Sequence, residues 1–353
     1  MARLNPYTPG AGTRPPVLAG RDTQLALITN IADLVEAGRQ TTPLICTGLR
    51  GMGKTAVLFA ARELLRERHW LAGYYEVRRD VEPGTAVASI AVEGVLTVRK
   101  GLRRALGAAV ARVGSAKVSF GPATLEITAK GTPSDTDPYP ELVEFLRLIG
   151  NAAKDDRSGV ALLVDELQVF RKRDLAVLIQ ALSFLRDEPI VLVGAGLPYL
   201  PSEMSKANTY AERFRYETID RLHDSEVRRA VTEPAAAEGV TWTTDAVDQV
   251  VTLSFGYPYF VQLYASETWV AANNTDTITV DHVHAAIDPV QRQLDAGLYA
   301  ARYDRLSDTE RDYIHAMVRC IETIEGKQQL EFNLGTERVG SGAVAGDIVK
   351  SCG

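Results

Sequence analysis

The sequence of 353 residues predicts an α/β fold, a doubly wound parallel sheet followed by a helical domain and a short tail. Three observations carry that expectation. A short apolar run at residues 43–47 passes through a glycine-rich loop into a stretch of strong helix formers at 55–68. Residues 159–164 are almost wholly apolar, the pattern of a central parallel strand covered on both faces. Beyond about residue 221 the strand signals fade and segments of helical spacing follow one another. The expected organisation is a flexible arm at 1–16, a core at 17–220 with an insert at about 78–135, a helical domain at 221–300, and a tail at 301–353.

Each element has its own warrant. Residues 1–16 are rich in Pro, Gly and Thr and lack an apolar signal core, so they read as an arm and the expected compartment is the cytoplasm. No apolar run approaches bilayer length, so no membrane partner is expected. Leu25, Ile28, Ile31, Leu34 and Val35 recur at helical spacing before Gly38, a plausible stop. Residues 70–77 read as a second strand. Residues 85–113 read as helical with breaks at Gly94 and Gly101. Residues 117–120 and 124–128 alternate apolar and polar around Gly121-Pro122-Ala123, which predicts a β-hairpin. A helix at 140–153 precedes the strand that ends in Asp165-Glu166. A helix at 175–185 and a strand at 190–193 follow, the latter ending in Gly194-Ala195-Gly196-Leu197-Pro198. Helices are expected at 224–238, 244–253, 259–272 and 280–298. Ser307-Asp308-Thr309-Glu310 forms a capping box that opens a helix through Met317.

Composition narrows the function. Hydrophobic residues make up 46% and charged residues 24%, with a net charge of −6, which argues against a broadly basic nucleic-acid binder. The charge is uneven: residues 99–130 hold seven basic residues and one acidic one, Glu126. A solvated surface insert and a patch for an acidic partner both remain open there. Cys46, Cys320 and Cys352 form no metal-ligand pattern, and Cys46, inside an apolar run, reads as a buried small hydrophobe. His282 and His284, two apart on a helix, point to different faces and make a poor metal pair.

The chemistry is concentrated in Gly48-Leu49-Arg50-Gly51-Met52-Gly53-Lys54-Thr55, which matches the phosphate-binding pattern G-x-x-x-x-G-K-[ST] at every fixed position. Its glycines let backbone N–H groups turn inward around phosphate oxygens. The helix that begins near Lys54 and continues into Ala56 adds its positive N-terminal end. Lys54 brings a cation to the β- and γ-phosphates, and Thr55 offers a hydroxyl to Mg²⁺. Asp165, at the end of the apolar strand, is the second expected metal residue. Glu166, next to it, is placed to polarise the attacking water. ATP is preferred over GTP: there is no Asn-Lys-x-Asp for guanine, and Asp156-Arg157-Ser158-Gly159 precedes its strand instead of following it.

With those residues in hand, the chain resembles the AAA+ and STAND-type P-loop ATPases, most closely the origin-recognition and Cdc6-like branch. Ala19-Gly20-Arg21-Asp22 looks like the box before the P-loop, residues 48–55 and 160–166 like the Walker A and B motifs, and Gly194 to Pro198 like the end of the fourth strand. Glu212-Arg213-Phe214 matches the box before the lid. Gly256-Tyr257-Pro258 matches the Gly-x-Pro motif of a STAND lid. The resemblance implies that the helical domain is a lid and that Arg21 lies near the adenine pocket. It further implies that Arg213 senses or stabilises the γ-phosphate and that Pro258 packs the lid against the nucleotide.

The sequence also departs from the family pattern. No polar sensor residue stands in Gly194-Ala195-Gly196, and the stretch 256–262 holds no sensor arginine. Slow hydrolysis and a switch-like role are therefore expected. Relatives end in a winged helix; here residues 306–318 match its first helix and 343–349 a second, which leaves a partial winged-helix C-terminus and weakens DNA reading. The function expected is Mg²⁺-dependent hydrolysis of ATP to ADP and phosphate by a switch or regulator. The alternative is a nucleotide-gated module that binds DNA or a protein with little turnover. Self-association through the nucleotide sites is the expected assembly.

Overall fold

The structure, a computed structural model, describes residues 3–10, 12–94, 98, 103, 116–120, 125–129 and 138–333. It divides into two units, residues 1–286 and 287–353.

The first unit opens on α1 (Asp22–Glu36), whose Ile28, Ala32 and Val35 are buried. Then come β1 (Leu44–Thr47), α2 (Lys54–Glu67), β2 (Leu71–Glu76) and α3 (Pro83–Gly94). The hairpin strands β3 (Ala116–Phe120) and β4 (Leu125–Ala129) pair antiparallel, Ala116 with Ala129 and Phe120 with Leu125, as the alternation predicts. The rest of the helical stretch expected beyond Gly94, and most of the basic positions at 99–130, lie outside the described residues. The core resumes with α4 (Pro138–Asp155), β5 (Val160–Asp165), α5 (Lys172–Phe184), β6 (Ile190–Gly196), α6 (Leu200–Ala207) and β7 (Arg215–Thr218).

Five strands form one sheet in the order β2-β5-β6-β1-β7, and every neighbouring pair is parallel. All six residues of β5 are buried. Removal of Leu162 and Leu163 from water contributes about 2 kcal/mol each. One face packs on α3, α4 and α5 through Ile90, Leu146 and Leu178, the other on α1 and α2 through Ile28 and Leu58. Parallel strands need crossover helices, and helices on both faces require the continuous apolar run seen at 160–164. The sequence reading had no strand at β7. Arg-Tyr-Glu-Thr is an edge strand with no fully buried residue; Tyr216 packs part of its ring on the core, so the strand carries no apolar run.

The helical part of this unit contains α7 (Asp224–Ala237), α8 (Thr244–Ser254), α9 (Pro258–Ala272) and the start of α10 (Val280–Gln293). It also holds a two-residue parallel pair absent from the expectation, β8 (Thr241–Trp242) with β9 (Thr277–Ile278). Two residues are too few to display a period.

The flexible arm expected at 1–16 is corrected. Tyr7 is 4% exposed and sits edge-on to Trp242 and Trp269. Its hydroxyl donates to the Val231 carbonyl and accepts from Trp242 Nε1. Asn5 Nδ2 donates to Ser266, Thr8 N to Gln262 Oε1, and Arg3 pairs with Asp276. Pro, Gly and Thr give such a segment no period of its own; one aromatic anchor and side-chain hydrogen bonds seat it on the helices.

In the second unit, a π-helical stretch (Leu294–Tyr299) shortens the helix expected to run to 298. It is followed by α11 (Ala300–Tyr303) and α12 (Asp308–Asn333). The capping box forms: Ser307 N and Oγ both donate to Glu310 Oε2. The helix runs on to Asn333 rather than stopping near Met317. The second helix expected at 343–349 lies outside the described residues.

Candidate nucleotide site

The loop between β1 and α2 is held open by backbone geometry. Gly51 and Gly53 sit at φ 84° and 85°, a region that side chains disfavour, and Gly53 caps α2. A Cβ on Gly48 would collide with the Ile219 carbonyl, so β1 and the segment after β7 approach closely only because that position is glycine. Gly48 N donates to Gly196 O at 3.2 Å, and Ile219 N to Thr47 O at 2.6 Å. Leu49 and Arg50 are exposed on the loop, whereas Met52 and Ala56 are buried beneath it.

Lys54 starts α2 and is 5% exposed. Its ammonium donates to the carbonyls of Gly48 and Leu49, both at 2.9 Å, so the cation stands within the loop's concavity. Burial lowers its pKa from the ordinary value, and the Glu166 and Asp165 charges oppose that shift. An anion brought to this point would be met by a cation already largely desolvated, beside the N-terminal end of a helix.

Across the sheet, Asp165 ends β5 with 2% exposure. Its Oδ2 accepts from Thr55 Oγ1 at 2.6 Å and from the Tyr74 hydroxyl at 3.2 Å; its Oδ1 accepts from Glu166 N at 2.8 Å. A hydroxyl and a carboxylate are the oxygen ligands Mg²⁺ takes from a protein when substrate phosphates and waters complete its octahedron. Thr55 and Asp165 therefore fit the ion. Among the described residues, no group of three or more His, Cys, Asp or Glu is placed to hold a metal by itself. Glu166 follows in the left-handed region at φ 54°, out of the strand line, and its charge acts on Lys54 together with that of Asp165.

Thr55 is thus bonded to Asp165, and the charges of Asp165 and Glu166 both act on Lys54. Other expected site residues stand differently. Arg21 is 5% exposed, and its guanidinium donates to the carbonyls of Gly20, Met52 and Asp220 at 2.9, 3.0 and 2.7 Å. It ties the loop to the segment leading into α7. Its hydrogen bonds go to the protein's own backbone.

Arg213 is exposed, with its guanidinium 5.5 Å from the Tyr210 ring centre. It precedes β7, where Arg215 pairs with Leu44 and Thr218 with Thr47. At about 3.3 Å per residue it stands at least about 10 Å back along the sheet from the end that carries the loop. In this conformation its guanidinium rests against Tyr210 and not on its own chain's loop. Pro258 is the first residue of α9, where its fixed φ suits the helix start. Its neighbour Tyr257 touches the loop. The Tyr257 hydroxyl donates to the Arg50 carbonyl, and a Cβ on Gly51 would meet its ring at 2.7 Å.

Sequence reasoning missed Tyr74, Gln168 and the N-terminal loop. Tyr74 alternates with Ala72 on β2, a face signal without a partner in view. Gln168 is the polar residue between Leu167 and Val169. The arm reaches the site at Gly12, where a Cβ would lie 4.0 Å from Thr55 Cγ2.

A parallel sheet with a glycine-rich loop at one strand end, a buried lysine in that loop and a hydroxyl–carboxylate pair beside it define a P-loop nucleoside triphosphatase. Residues 17–193 match the AAA ATPase domain family, and the chain belongs to that family and is an ATPase. No curated protein sequence matches it. Among solved structures it is similar to Cdc6p from Pyrobaculum aerophilum, with a TM-score of 0.51 and 15% identity over 100% of this chain and 91% of that one. It also matches the Aeropyrum pernix Orc1 protein solved in complex with DNA, with a TM-score of 0.48 and 16% identity over 95% and 83%. The Holliday junction branch migration motor RuvB of Thermotoga maritima follows, with a TM-score of 0.47 and 17% identity over 90% and 83%. The likeness to Cdc6p carries the fold.

Proposed function

We propose that this protein is a Mg²⁺-dependent ATPase that hydrolyses ATP to ADP and phosphate and uses the cycle as a switch. The observation that supports this most is the Thr55–Asp165 hydrogen bond beside the buried Lys54 ammonium. In this reading the loop N–H groups and Lys54 bind the β- and γ-phosphates. Thr55 and Asp165 would hold Mg²⁺, which would supply positive charge to offset that of the phosphates. Glu166 orients a water in line with the γ-phosphorus and takes its proton as the new P–O bond forms and the bond to the β-phosphate oxygen breaks.

Arg213, remote from its own loop, serves a neighbouring subunit's γ-phosphate, so that self-association completes the site. The absence of a polar side chain at the end of β6 favours slow turnover. Tyr257 on Arg50 supports the switch, because a phosphate that reshapes the loop also moves the lid's footing. A nucleotide-gated module with little turnover is the second reading, favoured by that same contact. Its partner would be a protein or a nucleic acid.

The test measures ATP binding and phosphate release for the wild type, Lys54→Ala and Glu166→Gln with Mg²⁺ over a range of protein concentrations. Hydrolysis that depends on both residues and rises per molecule with concentration is expected. ATP binding through Lys54 with no turnover dependent on Glu166 would replace the ATPase reading with the gated module.

A further inference from the structure

The side chain of Gln168 joins two parts of the site that the motifs treat separately. It lies in the short 3₁₀ segment Leu167–Val169, directly after Glu166. Its Nε2 donates to Glu166 Oε2, and its Oε1 accepts from Leu197 N at 3.2 Å. The amide has one workable orientation. The Leu197 N–H requires an acceptor and the Glu166 carboxylate requires a donor, so a flipped amide would lose both bonds.

The space this amide fills exists because Gly196 has no side chain. A Cβ there would lie 2.6 Å from Gln168 Oε1 and 2.5 Å from Leu200 Cδ2. The end of β6 therefore carries no polar side chain of its own, but a polar group reaches it from the β5 loop. Glu166, at φ 54°, has left the strand and is not aimed by the ladder. Among the described residues, the hydrogen bond to its carboxylate comes from the Gln168 amide, which is braced in turn on the backbone that follows β6.

We propose that Gln168 is the positioning residue for Glu166: it holds that carboxylate at the attacking water and makes its aim depend on the end of β6. The inference rests on the reading of Glu166 as the group that orients water. A residue acting through another in this way typically changes the rate of the chemical step by about 10- to 100-fold, with little effect on ligand affinity.

The experiment is a double-mutant cycle on the full chain with Gln168→Met, Glu166→Gln and the double variant. Single-turnover hydrolysis is followed with radiolabelled ATP and Mg²⁺, and the ATP dissociation constant is measured in parallel. Gln168→Met is expected to slow the single turnover by at least about tenfold, to keep ATP affinity within about twofold, and to add nothing in the Glu166→Gln background. Gln168→Met turning over at the wild-type rate or faster would overturn the proposal. So would a loss that persists undiminished in the Glu166→Gln background, or one accompanied by an equal loss of ATP affinity, because both mark a merely structural residue. Glu166→Gln hydrolysing ATP like the wild type would remove the underlying reading, an outcome distinct from a failure of Gln168 alone.

Discussion

Thr55 Oγ1 lies 2.6 Å from Asp165 Oδ2 although 110 positions separate the two residues. The strand order places β6 between β1 and β5, and the first turn of α2 spans that strand to bring Thr55 over the end of β5. Thr55→Ala and Asp165→Asn should each remove the advantage that Mg²⁺ confers on ATP binding. Titration with Mg²⁺ and with EDTA checks this. The gap between the two dissociation constants should shrink by at least about tenfold, or about 1.4 kcal/mol. Retention of the full wild-type gap in either variant would refute the assignment.

Tyr7 makes the arm part of the helical region. Tyr7→Phe leaves the Val231 carbonyl and the Trp242 indole N–H without the hydroxyl and should cost about 1–3 kcal/mol. Tyr7→Ala also vacates the space between Trp242 and Trp269 and should cost about 3–5 kcal/mol. Urea unfolding followed by tryptophan fluorescence measures both, and an unchanged midpoint in Tyr7→Ala would mean that the arm does not rest there in solution.

Arg213 should act between subunits. Arg213→Ala is expected to bind ATP like the wild type and to lose turnover. Lys54→Ala is expected to lose binding but to keep a working Arg213. Mixing the two inactive variants should restore part of the activity, since some sites then combine an intact loop with a neighbour's arginine. Activity of Arg213→Ala that equals the wild type at every protein concentration would exclude the role.

The buried Cys46 thiol, in the strand that leads into the loop, gives a pH dependence of known sign. Burial pushes its pKa from 9.0 up to about 12, with the Glu217 charge adding to the shift. Between those values the unfolded chain releases this proton while the folded chain keeps it, so stability falls as pH rises, by about 1.4 kcal/mol per unit for the one group. Cys46→Ala should therefore lose less stability than the wild type between pH 9.5 and 10.5 in chemical denaturation. Equal slopes would show that the thiol ionises in the folded state.

Some of the architecture was legible because local rules write it into the chain. Gly51, Gly53, Lys54 and Thr55 announce the loop because backbone conformation and helix start demand those types there. Val160 to Val164 announce a strand covered on both faces because no polar residue survives in such a place. The hairpin at 116–129 and the capping box at Ser307 and Glu310 are local for the same reason. The edge strand Arg215–Thr218 was missed because a single half-buried aromatic residue, Tyr216, makes no apolar run. The arm was missed because its order comes from helices more than two hundred positions away.

The amino-acid order alone therefore determined the class of protein, its glycine-rich loop and the acidic pair at the end of β5, since backbone conformation, helix capping and strand burial act over a few neighbouring residues. Packing decided the rest. It set Asp165 against Thr55 and Tyr74, gave Arg21 to backbone carbonyls, put Tyr257 rather than Pro258 on the loop, left Arg213 at the far end of its sheet, and let Gln168 fill the space that Gly196 leaves. Each of these depends on which strands lie side by side and on atoms a hundred or more residues apart meeting within a few ångströms, and no local periodicity encodes such a meeting.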